Sequence, residues 1–139
     1  MLPTLHATAV ARGDAGVLLI GPPGSGKSDL ALRLIDRGWK LIADDRVIAL
    51  PAPDGLTLSA PSPIAGLIEL RGVGILPAPH QASAAARLLV DLSERPQRLP
   101  EPEWREVEGV RLPLLRLAAF EASAPLKVEW ALAQALGSG

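Results

Sequence analysis

The eight residues Gly21, Pro22, Pro23, Gly24, Ser25, Gly26, Lys27 and Ser28 constrain this chain more than any other stretch. They satisfy Gly-x-x-x-x-Gly-Lys-Ser, a loop that functions where a strand hands over to a helix. Its flanks meet that condition. The apolar run 17–20 precedes it, and Leu30, Leu32, Leu34 and Ile35 recur within residues 28–37 behind it. Gly38 then offers the left-handed position at which helices commonly stop. The glycines let backbone N–H groups converge on phosphate oxygens, and the helix N-terminus adds the positive end of its dipole. Lys27 is placed to reach the terminal phosphates of a nucleoside triphosphate and Ser28 to ligate Mg²⁺. The expected fold class is therefore α/β, a P-loop-containing mixed sheet with a strand–P-loop–helix core and additional β-hairpins.

The remaining chain supplies the hairpins. Residues 5–12 alternate small and apolar side chains, and Gly13-Asp14-Ala15-Gly16 supplies turn chemistry before the run 17–20. Residues 39–43 read as a strand ending at Asp44-Asp45, and 47–50 and 56–60 as a hairpin about the turn residues 51–55. The apolar stretch 67–76 is broken by Gly72 and Gly74, and residues 77–86 are expected to be a surface loop before a strand at 87–92. Three prolines within residues 96–102 demand irregular structure, residues 107–117 read as one or two strands despite Pro113, and 126–136 as a closing helix. With 139 residues, 48% of them hydrophobic, the expectation is a single domain, 1–139, able to bury roughly two thirds of its unfolded surface.

Composition narrows the function classes. There is no Cys, which removes disulfides, thiolate metal sites and cysteine nucleophiles. Fourteen basic residues against 15 acidic ones, with one Phe, three Trp and no Tyr, give neither the basic surplus nor the stacking platform of a nucleic-acid binder. No apolar run approaches the length of about 20 residues that spans a bilayer, and the N-terminus lacks an export signal. The chain is read as soluble and cytoplasmic, with no nucleic-acid or membrane partner.

Asp44 and Asp45 follow a strand, and open α/β sheets bind ligands outside the carboxyl ends of their strands. In a phosphoryl-transfer site one carboxylate can orient the metal while the other accepts a proton from the attacking hydroxyl. The plainer alternative is an acidic turn at a strand end. Glu69 and Arg71, two apart, would share one strand face as a solvated ion pair. His6 on its own reads as a structural histidine of a half-apolar strand. Trp39, Trp104 and Trp130 read as packing residues, and Arg95 and Arg98 as solvated arginines that a phosphate site could recruit.

Taken together, Leu5-His6-Ala7, the Gly-rich loop, Leu41-Ile42-Ala43-Asp44-Asp45 and Ile68-Glu69-Leu70-Arg71-Gly72-Val73-Gly74-Ile75 resemble the catalytic domain of the HPr kinase/phosphorylase family over residues 4–95. The resemblance implies an ATP- and Mg²⁺-dependent kinase that phosphorylates a seryl residue of HPr, the small phosphocarrier of the phosphotransferase system. By position it implies Lys27 and Ser28 at the phosphates and magnesium, Asp45 as general base beside Asp44, and His6 as partner of that base. It further implies Glu69 as a second magnesium-site acid and Arg98 as an active-site arginine. The chain is similar to the short alphaproteobacterial form, which lacks an N-terminal regulatory domain, and a homo-oligomer is left open. The family's Pro-x-Arg-Pro-Gly-Arg-Asn loop, associated with dephosphorylation, has no counterpart in residues 110–139, so the implied activity is that of the kinase. The competing reading is an ATP-binding regulatory module acting through a protein partner without turnover.

Overall fold

The computed structural model describes residues 2–137. The chain runs through β1 (Thr4–Leu5), β2 (Thr8–Arg12), β3 (Ala15–Ile20), α1 (Lys27–Asp36), β4 (Lys40–Ala43), β5 (Val47–Ala52) and β6 (Gly55–Ser59). A 3-10 turn (Ser62–Ile64) leads to β7 (Leu67–Leu70), β8 (Gly74–Pro77), β9 (Ser83–Asp91), β10 (Glu103–Val107), β11 (Val110–Arg116) and the closing helix α2 (Ala124–Gly137).

The main sheet places β3 between antiparallel β2 and parallel β9, with β4 beyond β2. The far side of β9 is shared. Its first residues pair antiparallel with β6 and its last residues parallel with β11, so the sheet forks there and curls. Alternation along β3 explains the two apolar layers on its faces. Val17 and Leu19 face the helices with Leu30, Leu34, Leu41, Val128 and Leu132. Leu18 faces the other way, with Ala9, Ala11, Ile42, Val47, Leu56 and Leu58. The many alanines on that second face suit a sheet curling over itself, because small side chains allow close approach.

Helix α1 stops where the sequence says it should. The Gly38 N–H bonds the Ile35 carbonyl and the Trp39 N–H that of Leu34, the paired closure that needs a left-handed residue, and Gly38 has φ 98°. Trp39 is thereby turned into the core, 1% exposed, and its indole N–H meets Glu129 of α2 at 3.1 Å.

Several expectations need correction. Strand β9 begins at Ser83, so half of the expected surface loop is strand; Ala84 and Ala86 are buried against the curled face and gave no β-branched signal. Trp104 and Trp130 are not packing residues, being 50% and 79% exposed; Trp104 lies under the Arg111 guanidinium, 4.6 Å away. Arg71 belongs to the turn between β7 and β8, since the Val73 N–H closes onto the Leu70 carbonyl, and no ion pair joins it to Glu69 among the described residues.

The Glu129 carboxylate also accepts from Arg37 at 2.7 Å. The Arg37 hydrogen bond, opposed by burial and aided by Trp39, holds its pKa below the ordinary value of 4.5. The resulting stability is fully present above that value and lost as pH falls through the lower folded value. Glu129→Gln should therefore cost about 1–3 kcal/mol at pH 7, with the two unfolding curves converging at acid pH. Equal separation at pH 7 and pH 3 in chemical denaturation would refute this.

Candidate active site

Strand β3 delivers the Gly-rich loop onto the N-terminus of α1, as the flanking residues require. Gly26 caps the helix in the left-handed region, φ 99°, and a Cβ there would meet Ala119 Cβ at 2.8 Å and Phe120 Cζ at 2.9 Å. Only glycine fits. At Gly21 a Cβ would collide with the Ser25 hydroxyl; that hydroxyl is buried and finds no hydrogen-bond partner among the described residues. Lys27 folds back, donating to the Gly21 carbonyl at 2.7 Å and the Pro22 carbonyl at 3.2 Å.

The two adjacent aspartates are separated by the backbone. Asp44 turns inward, 7% exposed, and accepts three hydrogen bonds: from Ser28 Oγ at 2.6 Å, Thr8 Oγ1 at 3.0 Å and the Glu69 N–H at 3.0 Å. Asp45 takes φ 71°, a conformation Asp tolerates better than most residues. Its N–H donates to Thr8 Oγ1 at 3.3 Å, and its side chain points out to meet His6 Nε2 at 2.7 Å. One threonine hydroxyl thus spans both aspartates. His6 sits at the bend between β1 and β2, not within a strand.

His6, Thr8, Lys27, Ser28, Asp45 and Glu69 line one cavity of about 420 Å³, with Phe120 and Val73 also on its wall. Every sequence-derived candidate is there or adjoining except Arg98, which is exposed in the loop after β9 and does not line it. That loop is anchored at its root by Asp91. Burial works to raise the Asp91 pKa, but the Ser93 hydroxyl and N–H together with Arg105 outweigh it and hold the carboxyl below its usual value. The candidate metal donors Ser28, Asp44 and Glu69 offer oxygen atoms only, the chemistry Mg²⁺ prefers. Among the described residues no three His, Cys, Asp or Glu side chains form a metal cage.

Residues 3–82, which hold His6, the Gly-rich loop, Asp44, Asp45 and Glu69, match the family model described as the HPr Serine kinase C-terminal domain. This chain belongs to that family. It is 39% identical over 111 residues to the HPr kinase/phosphorylases of Xylella fastidiosa (strain M12) and Xanthomonas campestris pv. campestris (strain B100), covering 74% of this chain. The alignment spans only 35% of the length of those curated relatives. The solved structure of the Hpr(Ser) kinase/phosphatase from Coxiella burnetii superposes with a TM-score of 0.84 at 25% identity, over 98% of this chain and 92% of that one. The mixed α/β fold is therefore that of HPr kinase.

Sequence reasoning missed Thr8, Arg33 and Phe120. Thr8 had a signal, a hydroxyl leading into the apolar run Ala9-Val10-Ala11 that would need a partner once buried. Thr8→Val removes one donor from buried Asp44 and should cost about 1–3 kcal/mol in urea denaturation. An unchanged midpoint would show that the carboxylate does not depend on it.

Proposed function

We propose that this chain is an ATP- and Mg²⁺-dependent serine kinase that phosphorylates the cytoplasmic phosphocarrier protein HPr on a seryl residue. The observation that carries the reading is the division between the two aspartates: Asp44 is enclosed by donors next to Ser28, whereas Asp45 is exposed in the same cavity as Lys27 and backed by His6.

The steps follow from the residues. Phosphate binding exchanges Lys27 from the Gly21 and Pro22 carbonyls to the terminal phosphates, while loop N–H groups and the α1 N-terminus share the charge. Ser28, Asp44 and Glu69 would hold magnesium, which when bound neutralises phosphate charge. The acceptor seryl hydroxyl is delivered by HPr from outside and gives its proton to Asp45 as its oxygen bonds the γ-phosphorus; the bond to the β-phosphate oxygen breaks and ADP leaves. His6 keeps the carboxylate of Asp45 aimed into the cavity, since one oxygen is already engaged at 2.7 Å. Arg98 would have to enter with movement of its loop. Residues 110–139 hold no Pro-x-Arg-Pro-Gly-Arg-Asn string, and the proposed activity is the forward transfer to HPr.

Incubation with γ-labelled ATP, magnesium and HPr should label a serine of HPr. Asp45→Asn should still bind ATP while transfer falls about 10²–10⁴-fold, the usual worth of a general base. ATP binding without seryl label in the wild-type protein would replace the kinase by a regulatory module that binds ATP without turnover.

A further inference from the structure

Phe120 is the only Phe of the chain and is 68% exposed, yet it stands directly against the Gly-rich loop. Its ring carbon and the Ala119 methyl occupy the space that a Cβ on Gly26 would need, at 2.9 and 2.8 Å. Nothing in the apolar layers accounts for it. The loop that carries it is held in place from two sides. Arg33 of α1 donates to the Ala119 carbonyl and, at 3.1 Å, to the Glu121 carbonyl, and pairs with Asp29 at 2.8 Å. The Leu117 N–H reaches back to the Asp91 carbonyl at 3.1 Å.

Strands β3, β9 and β11 are neighbours and parallel, so the Gly-rich loop, residues 92–102 and residues 117–123 emerge along one edge of the sheet, where α/β folds bind their ligands. A second cavity, about 500 Å³, opens between these last two loops, walled by Leu92, Leu117, Ala118 and Ala119 with Ser93 and Arg95. Phe120 lines both cavities. In the first, His6 and Asp45 mark the side reserved for the acceptor hydroxyl, which leaves the Phe120 side for the remainder of the nucleotide.

We infer that the base of the nucleotide stacks on Phe120, at the junction of the two cavities, with the Arg33-clamped loop after β11 as the wall of a nucleoside subsite. The inference rests on the proposed triphosphate binding at the Gly-rich loop and adds the residue that recognises the nucleoside. An exposed aromatic face beside a phosphate loop suits any nucleobase, because stacking draws on the π-surface. The fixed carbonyls of Ala119 and Glu121 spare the ring the cost of ordering on binding.

Isothermal titration calorimetry with ATP and with inorganic tripolyphosphate, both with magnesium, separates the subsite from the phosphate loop. Phe120→Ala should weaken ATP about tenfold and leave tripolyphosphate unchanged, and Phe120→Trp should restore ATP affinity. The exposed position makes misfolding a poor explanation, and unchanged tripolyphosphate binding is the internal control. Unchanged ATP affinity in Phe120→Ala, or equal weakening of both ligands, overturns the subsite. Failure of the wild-type protein to bind either ligand overturns the phosphate-loop reading beneath it.

Discussion

The Asp44 carboxylate is the contact on which the rest of the site depends. It is nearly enclosed, and a buried carboxylate is tolerable only when its oxygens are hydrogen-bonded. The donors come from three separate places: Thr8 in β2, Ser28 in the first turn of α1 and the Glu69 amide in β7. Satisfying one charge therefore fixes the end of β4, the helix behind the Gly-rich loop and the β7–β8 hairpin relative to one another. A carboxylate with fewer donors would leave either the charge or the hairpin unsupported.

Asp45 follows from that arrangement. With Asp44 turned inward, an extended chain would send the next side chain to the opposite face. The left-handed backbone at φ 71° keeps it on the cavity side, within reach of His6. Such a conformation costs on the order of 1 kcal/mol for a residue with a Cβ, and the Asp45 N–H to Thr8 hydrogen bond offsets part of it. On the proposed reading, this turn separates the metal side of the site from the proton-accepting side within two consecutive residues.

The Gly-rich loop, its strand and its helix could be read from local chemistry alone, down to the Gly38 stop, because each rests on short-range rules of spacing and left-handed geometry. Pairing of the two aspartates with Thr8 could not, and His6 beside Asp45 came only through the family resemblance, since those contacts span 36 to 39 residues of chain and depend on how β2 lies beside β4. Strand β9 was read short for a different reason: its first half is alanine-rich and owes its conformation to neighbours on both sides. Exposed Trp104 and Trp130 show the limit of reading large apolar residues as core. Arg98, offered both as a recruitable arginine and by the family resemblance, sits in a loop that does not line the cavity; Phe120 lies in a segment whose meaning comes only from the loop it touches.

On the proposed reading the adjacent aspartates divide the work, Asp44 serving the magnesium side and Asp45 the acceptor side. The most direct measurement is ATP affinity with and without magnesium in the wild-type protein, in Asp44→Asn and in Asp45→Asn. Magnesium should tighten ATP binding in the wild type and in Asp45→Asn, and Asp44→Asn should lose this gain. A full magnesium gain in Asp44→Asn, or its loss in Asp45→Asn, would contradict it.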